Sequence, residues 1–389
     1  MLGAIIGDVV GSIYEVKEVE AIKKNKDKKR SYEERIKILD KNTPLLTNEC
    51  SYTDDTTLTT AIIDAILNKK SYNSALREYG LREINLGVDV YGRSRFSNGF
   101  VSWLKDETVG KSTGNGAAMR ISGVGYLFND LNEIKENARL ATTPSHDSPE
   151  AILAAEVVAT VVFMARKKCS KKEIKEYIEK YYNLDFDLED LQKNYRFKAN
   201  CNDSVPIALY VFLISNDFED GLRKAISVGG DSDTIACIVG AISEAYYGIP
   251  EYLIKEIESY IPDYIKEIIN EFYLTLEFNN FLESHEDYTK EFKNFIKDRV
   301  RVIDRPISED WYSCFPMVKN NILVDLRLLV PKLISNETLL VKIHEYAHAM
   351  ELYKEIGSPY IENTITREEN AKKLELKYIE RTKNENTNK

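Results

Sequence analysis

The segment SVGGDSDTIACIVGAI, residues 227–242, places two carboxylates, Asp231 and Asp233, after two glycines and before a run of small and apolar residues. The apolar residues recur at helical spacing, so the segment predicts a buried helix that begins at the two acids. Acids at a helix start have an ordinary role, because they cap free N–H groups and complement the helix dipole. A second segment bears on whether capping is their only role.

The segment SYTDDTTLTTAI, residues 51–62, repeats the arrangement, with Asp54 and Asp55 at the start of another apolar helix. A threonine adjoins each pair, Thr53 in this segment and Thr234 in the other. Hard cations such as Mg²⁺ and Mn²⁺ prefer several convergent oxygen ligands. Two such helix starts would supply four carboxylates to a dinuclear metal site, and capping stays the alternative explanation for each pair.

The composition is that of a globular protein with more than one domain. Of its 389 residues, 43% are hydrophobic and 30% are charged, which is enough to bury a large core. The net charge of −10 gives no general attraction to nucleic acid or to anionic membranes. The five cysteines form no CxxC pair, which favours a reducing compartment. Since no segment has the apolar run that a membrane helix needs, we predict a cytoplasmic protein that binds no membrane.

Helical periodicity predicts an all-α domain over residues 1–265. The clearest predicted helices cover residues 56–69, 148–168, 204–215 and 233–248. The charged stretch at 23–37 interrupts the pattern, and we interpret it as a solvated loop or an exposed helix.

A helical connector at 266–300 and a smaller α+β domain at 301–380 are predicted next. Alternation of β-branched residues predicts one or two short strands, from residues 298–306 and 320–331. A long helix should follow, capped by Ser335 or Asn336 and stopped at Gly357. Residues 381–389 contain no apolar side chain, which predicts a disordered tail.

Six segments carry, in order along residues 1–265, a resemblance to the ADP-ribosylglycohydrolase family, the group related to dinitrogenase reductase activating glycohydrolase. They are GAIIGDVVGSIYE, SYTDDTTL, GNGAAMRISGVGYL, PSHDSPEAI, CNDSVPIALYVFL and GGDSDTIACIVGAISEAYYGIP. The resemblance implies an all-helical, orthogonally packed domain with two Mg²⁺ or Mn²⁺ ions in a cleft. It also implies hydrolysis of the glycosidic bond between ADP-ribose and a modified protein side chain or other acceptor. A nucleic acid is expected as a partner only if it is itself that acceptor.

Position by position, the resemblance also implies roles for individual residues. The implied metal ligands are Thr53, Asp54, Asp55, Asp231, Asp233 and Thr234, and the implied substrate contacts are Asn115, Gly116 and His146. Glu15 stands where the family has an acidic residue near the metals and the scissile ribose. Glu15, Asp54 or Asp55 could take the proton of a metal-bound water as general base. Asn115 and His146 keep an alternative explanation as turn and capping residues. Gly123 departs from the family pattern, because many relatives have proline there.

A second candidate site lies in VKIHEYAHAMELYKEIG, residues 341–357, which contains an HExxH pattern. His344 and His348 are four residues apart on a predicted helix, so both can bind one Zn²⁺. Glu345 would then activate the metal-bound water. Over residues 320–380 the chain resembles small gluzincin-type metallopeptidases, whose third ligand is a glutamate on a following helix. Glu368 is that ligand by spacing, and Glu369 is the alternative.

One position departs from the metallopeptidase pattern. Relatives of this type often have Asp or Asn four residues after the ligand glutamate, where it holds a ligand histidine. Here that position is Lys372, so the chain departs from the pattern at the residue that would support the histidine.

Three functions are compatible with the sequence. The first is a glycohydrolase that releases ADP-ribose, with an appended zinc peptidase-like domain. The second is a catalytically silent module that binds ADP-ribose, and the third is a zinc metallopeptidase whose helical domain recognises ADP-ribosylated substrates. The sequence leaves the acceptor and the oligomeric state open.

Overall fold

A computed structural model of the protein describes residues 1–24, 29–106, 110–303 and 313–387. The chain is mainly helical and divides into two compact units, Met1–Ile269 and Asn270–Lys389. The predicted class, mainly α with a small sheet near the C-terminus, is confirmed. Among the described residues, no helix combines the length and apolar content that a membrane crossing requires.

The first unit has no β-strand within its described residues. Its α-helices are α1 (Leu2–Lys24), α2 (Tyr32–Ile36), α3 (Asp54–Leu67), α4 (Tyr72–Asn85), α5 (Asn98–Lys105), α6 (Ser122–Leu127), α7 (Leu131–Thr142), α8 (Pro149–Arg166), α9 (Lys171–Ile178), α10 (Leu188–Asn194), α11 (Cys201–Ile214), α12 (Phe218–Val228), α13 (Ser232–Tyr247), α14 (Glu251–Ile257) and the start of α15 (Asp263–Glu283). Short 3₁₀ helices cover Lys37–Leu39, Asn115–Ala117 and Glu258–Tyr260. The four clearest predicted helices are confirmed as α3, α8, α11 and α13, each boundary shifted by three residues or fewer.

Helices α1 and α13 pack closely in antiparallel directions through glycines spaced four residues apart. A Cβ atom at Gly7 would lie 2.0 Å from the carbonyl oxygen of Ala236, and one at Gly11 would lie 2.4 Å from Cα of Asp233. Only glycine allows two backbones to approach so closely. The packing places the acids of α1 beside the start of α13.

The charged stretch at 23–37 is only partly solvated. Lys23, Glu33, Glu34 and Lys37 are exposed, as that interpretation expects, but two arginines are not. Residues 25–28 lie outside the described residues, but the side chains of Arg30 and Arg35 are buried. Both form ion pairs with buried Glu18, at 3.3 and 2.5 Å, which allows charged groups inside the fold. A Cβ at Gly229 would lie 2.4 Å from Cζ of Arg35. The cluster therefore supports the turn that precedes α13.

The second unit is a small α+β structure. After the rest of α15 it contains α16 (Lys290–Ile296), β1 (Val300–Ile303), β2 (Ser313–Lys319), β3 (Ile322–Pro331), α17 (Asn336–Lys354) and α18 (Thr364–Thr387). Strand β3 is central, and it pairs parallel with β1 and antiparallel with β2. Apolar side chains from the helices and the sheet form one core.

The second unit differs from its prediction in two places. Strand β2 was not predicted, because Pro316 interrupts its pattern, and a proline is tolerated there since β2 lies at the edge of the sheet. Residues 304–306 of the first predicted strand lie outside the described residues. Helix α18 runs through Thr387 and includes most of the predicted disordered tail, whereas residues 388 and 389 are not described. Helix α17 has Ser335 as its cap, one of the two predicted candidates, and Asn336 is its first residue.

Candidate functional site

The two predicted aspartate pairs line one cavity in the first unit. Asp54, Asp55, Asp231 and Asp233 all border this cavity, whose volume is about 630 Å³. The hydroxyl of Thr234 donates a hydrogen bond to Oδ2 of Asp55 at 3.2 Å, across 179 residues of sequence. The starts of α3 and α13 therefore meet, as their matching sequences led us to expect.

Among the described residues, two groups of three carboxylates lie close enough to share a cation. In the first, Asp8, Asp55 and Asp233 offer oxygen atoms within 4.8 Å of one another, and in the second, Glu15, Asp231 and Asp233 do so. Asp233 belongs to both groups. Asp54 borders the cavity but belongs to neither group.

Asp8 is the member of these groups that the sequence analysis did not select. Its carboxylate accepts hydrogen bonds from Thr53, through N–H at 2.9 Å and the hydroxyl at 2.7 Å. It accepts two more from the N–H and hydroxyl of Thr56, at 3.1 and 2.5 Å. The available signal was an acid in the middle of the apolar run GAIIGDVVG, because a buried charge requires partners. Asp8 thus caps α3 from another helix.

Burial and mutual repulsion raise the pKa values of these acids. Burial is the main cause at Asp54, followed by the charges of Asp8 and Glu15, and its pKa rises to about 8. Burial raises the pKa of Asp8 to about 6, and burial with the charge of Glu15 raises that of Asp231 to about 6. The pKa values of Asp55 and Asp233 are also raised, first by burial and then by neighbouring carboxylates. The site therefore favours bound positive charge.

Glu15 is held at the cavity by an arginine. Arg93 Nη1 lies 2.6 Å from Oε2 of Glu15, and Arg93 Nε lies 2.9 Å from Oδ2 of Asp89. All three residues line the cavity. Arg93 therefore balances part of the negative charge at the side of the site where Glu15 approaches Asp231 and Asp233.

Asn115 and Gly116 lie in the 3₁₀ turn at the same cavity. The Asn115 amide donates hydrogen bonds to Oδ2 of Asp231 at 2.6 Å and to Oγ of Ser204 at 3.0 Å. These bonds orient the Asp231 carboxylate. A Cβ at Gly116 would lie 3.1 Å from Nε2 of His146, so glycine lets the turn lie directly on the imidazole.

His146 is buried as a neutral imidazole, hydrogen-bonded to a serine that an arginine holds. Arg120 donates to Oγ of Ser145 at 2.9 Å, and Oγ of Ser145 lies 2.8 Å from Nδ1 of His146. Because Arg120 can only donate, the serine hydroxyl is able to donate its proton to Nδ1 in the tautomer that carries the ring proton on Nε2. Burial, and then the charge of Arg120, lower the pKa of His146 well below its usual value. The Nε2 atom of His146 therefore lies beside Gly116, where a neutral imidazole forms one hydrogen bond as donor or acceptor.

The second unit brings His344, His348 and Glu368 together. Nε2 of His344 lies 3.3 Å from one Glu368 carboxylate oxygen, and Nε2 of His348 lies 3.3 Å from the other. The two Nε2 atoms are 3.0 Å apart. All three side chains offer ligand atoms within 4.8 Å of one another. Glu369, the alternative, is exposed.

Glu345 is next to this cluster and largely buried. Burial is the main cause that raises its pKa to about 7, while the charge of His344 acts in the opposite direction. Its Oε2 atom is buried and lacks a hydrogen-bond partner in the part of the chain that the structure describes.

One residue that the sequence analysis did not select joins the cluster. The Glu375 carboxylate is hydrogen-bonded to Nδ1 of His344.

Comparison with known proteins identifies relatives for the first unit. A sequence model described as ADP-ribosylglycohydrolase matches residues 1–280. The protein "ADP-ribosylhydrolase ARH3" of Mus musculus is 26% identical over 324 residues, which cover 64% of this chain and 83% of the relative. An uncharacterized protein of Archaeoglobus fulgidus is 26% identical over 251 residues, 58% of this chain and 81% of the relative.

A solved structure entitled "ADP-ribosylglycohydrolase-related protein complex" aligns with a TM-score of 0.48 and 21% identity, over 71% of this chain and 93% of that chain. The matched sequence region, residues 1–280, spans well over half of the protein and contains both aspartate pairs. This chain therefore belongs to the ADP-ribosylglycohydrolase family.

Proposed function

We propose that the first unit is a metal-dependent hydrolase that cleaves the glycosidic bond between ADP-ribose and a modified acceptor, a protein side chain or another group, in the cytoplasm. One observation carries the proposal. Carboxylates from α1, α3 and the start of α13 converge on a cavity of about 630 Å³, in a chain whose family consists of ADP-ribosylglycohydrolases.

The side chains at the cavity fit two Mg²⁺ or Mn²⁺ ions. The donor set consists of carboxylate and hydroxyl oxygens, which hard cations prefer. Oδ1 of Asp55 is buried without a hydrogen-bond partner among the described residues. We assign the ions to the two carboxylate groups, with Thr53, Asp54 and Thr234 beside them. The assigned carboxylates are Asp8, Asp55 and Asp233 in one group and Glu15, Asp231 and Asp233 in the other. Bound cations would lower the pKa of water and polarise the glycosidic region.

The remaining roles belong to protein groups at the cavity. Glu15, Asp54 or Asp55 would accept the proton of the attacking water as general base. Asn115 holds the Asp231 carboxylate at 2.6 Å. His146 offers Nε2, and the turn at Gly116 offers backbone, to the ADP-ribose.

A second candidate function is a zinc site in the second unit. The observation that favours it is the convergence of His344, His348 and Glu368, since two histidines and one glutamate are a common ligand set of catalytic zinc. Glu345, with a raised pKa and an unpartnered buried oxygen, would be the general base of a zinc peptidase.

Release of free ADP-ribose from defined mono-ADP-ribosylated substrates tests the first proposal. Substrates with arginine, serine and nucleic-acid linkages should be compared, with Mg²⁺ and after chelation. We expect release with at least one linkage, its loss in Asp231→Asn, and full activity in the exposed control Asp185→Asn. Binding of ADP-ribose without release from any substrate would instead indicate the silent binding module.

Zinc stoichiometry and peptide cleavage test the second proposal. We expect one Zn²⁺ per chain, lost in His348→Ala. Cleavage of a peptide that is lost in Glu345→Gln, while zinc stays bound, would establish a peptidase, because that substitution removes the base and keeps the ligands. Equal zinc content in wild type and His348→Ala would refute the site.

A further inference from the structure

The two ring nitrogens of His344 have separate partners. Nε2 faces His348 and Glu368, whereas Nδ1 is hydrogen-bonded to Oε1 of Glu375. Glu375 lies on α18, seven residues after Glu368. Seven residues are almost two helical turns, so both glutamates project from the same face of α18. The ring of His344 therefore lies between two carboxylates of one helix.

A histidine that binds a metal through Nε2 must carry its proton on Nδ1. A carboxylate that accepts this proton in a hydrogen bond fixes the tautomer, orients the ring and makes the free nitrogen a better ligand. Lys372, four residues after Glu368, is exposed and can only donate hydrogen bonds. It cannot accept the His344 proton, whereas Glu375 can.

The segment of α18 that carries Glu375 is anchored on both sides. Leu374 and Tyr378 are buried, and the ring of Tyr378 packs edge-on against Phe281 at 5.2 Å. The hydroxyl of Tyr378 donates a hydrogen bond to Glu277. Because neighbouring residues lock the helix in place, the Glu375 carboxylate is positioned before any metal binds.

We infer that Glu375 is the positioning residue of the second unit's metal site, and that it orients His344 through Nδ1 in place of a residue four positions after Glu368. The inference rests on the proposed zinc site. Glu375 is not a ligand, and it acts on the metal only through His344.

Zinc affinity of the full chain tests the inference. In competition with a chromogenic chelator, the Glu375→Gln variant should bind zinc roughly 10- to 100-fold more weakly than the wild-type protein does. Glu369→Gln, on the exposed side of the same helix, is the matched control and should bind zinc as wild type does. Glu368→Gln removes a ligand and should lose more affinity than Glu375→Gln.

Two readouts separate positioning from a general structural effect. The visible spectrum of the Co²⁺-substituted protein should change in Glu375→Gln, because the ring of His344 shifts, while the melting temperature of the metal-free protein stays unchanged. Glu375→Asp should restore part of the affinity.

The outcomes distinguish this inference from the zinc site itself. If zinc binds and is lost in His348→Ala, but Glu375→Gln keeps full affinity and an unchanged Co²⁺ spectrum, the positioning role is refuted and the zinc site stands. If wild-type protein binds no zinc that depends on His348, both are refuted.

Discussion

Oδ2 of Asp8 accepts hydrogen bonds from both the backbone N–H and the hydroxyl of Thr56, at 3.1 and 2.5 Å. The two residues belong to different helices, α1 and α3. A capping carboxylate usually belongs to the residue just before the helix that it caps. Here the carboxylate of Asp8, on α1, caps the N-terminus of α3. This contact fixes the position of Asp55 relative to Asp8, and therefore one of the two carboxylate groups.

Thr56→Val should destabilise the protein by about 1–2 kcal/mol, because it removes one buried hydrogen bond to a carboxylate and keeps the side-chain volume. It should also reduce the increase in melting temperature that Mg²⁺ produces. Thr60→Val is the matched control, since the Thr60 hydroxyl bonds to the carbonyl of Thr56 within the same helix. An equal loss of the Mg²⁺ effect in both variants would contradict the capping role.

The metal-free protein should lose stability as the pH rises from about 4 to 8. The carboxyl of Asp54 has a raised pKa of about 8, above its value in the unfolded chain, so the folded protein holds its proton more tightly. That stabilisation is complete below the unfolded pKa and is lost as the pH passes through the folded pKa. Thermal unfolding after chelation, measured at several pH values, checks this.

Mg²⁺ should therefore stabilise the protein more at pH 8 than at pH 5, since protons and cations compete for the same carboxylates. Asp54→Asn removes one titrating group and should flatten the pH dependence of the metal-free protein. A slope identical to that of wild type would contradict the assignment to Asp54.

Gly7→Ala should destabilise the first unit by about 1–3 kcal/mol or more, because the new methyl group overlaps the backbone of Ala236. Gly99→Ala is a suitable control. No atom lies within 4 Å of a Cβ at Gly99, and alanine favours helix over glycine by about 1 kcal/mol. Urea unfolding should rank the proteins Gly99→Ala, wild type, Gly7→Ala in decreasing stability, and any stabilisation by Gly7→Ala would refute the close approach of α1 and α13.

Arg93→Gln should tighten binding of Mg²⁺ several-fold, because it removes a positive charge that lies 2.6 Å from Glu15 and leaves that carboxylate for the cation. Arg93→Lys keeps the charge and is the control, with an affinity close to that of wild type. Isothermal titration with Mg²⁺ measures both. Weaker binding in Arg93→Gln would show that Arg93 orients Glu15 more than it competes with the metal.

The sequence was sufficient to predict where the two aspartate pairs lie. Each pair stood at the start of an apolar helix beside a threonine, and such helix starts can be recognised from local residues alone. Asp8 was not selected because its partners, Thr53 and Thr56, lie more than forty residues away. Local spacing does not reveal which distant donors a buried acid will meet.

Partners that are distant in sequence also explain the other differences between the predictions and the structure. Arg30 and Arg35 belong to a charged stretch that suggested exposure. Ion pairs with Glu18 on α1, together with hydrogen bonds to the carbonyl oxygens of Ile226 and Gln192, allow their burial. Glu375 has no motif of its own, and its partner becomes evident only when α18 folds against α17. The HExxH spacing, in contrast, is a property of one helix, and His344 and His348 share a face as it predicted.

Because α1 packs against α13, the two halves of the carboxylate site are made at very different times during synthesis. Roughly 220 residues separate the ends of these helices, and at ~5–20 residues per second the ribosome needs roughly 10–45 s to add them. During this interval the face of α1 that packs against α13 has no native partner, which makes the nascent chain prone to aggregation and a substrate for chaperones. Fragments that end before Asp231 lack one of the two aspartate pairs and should not assemble the site at all.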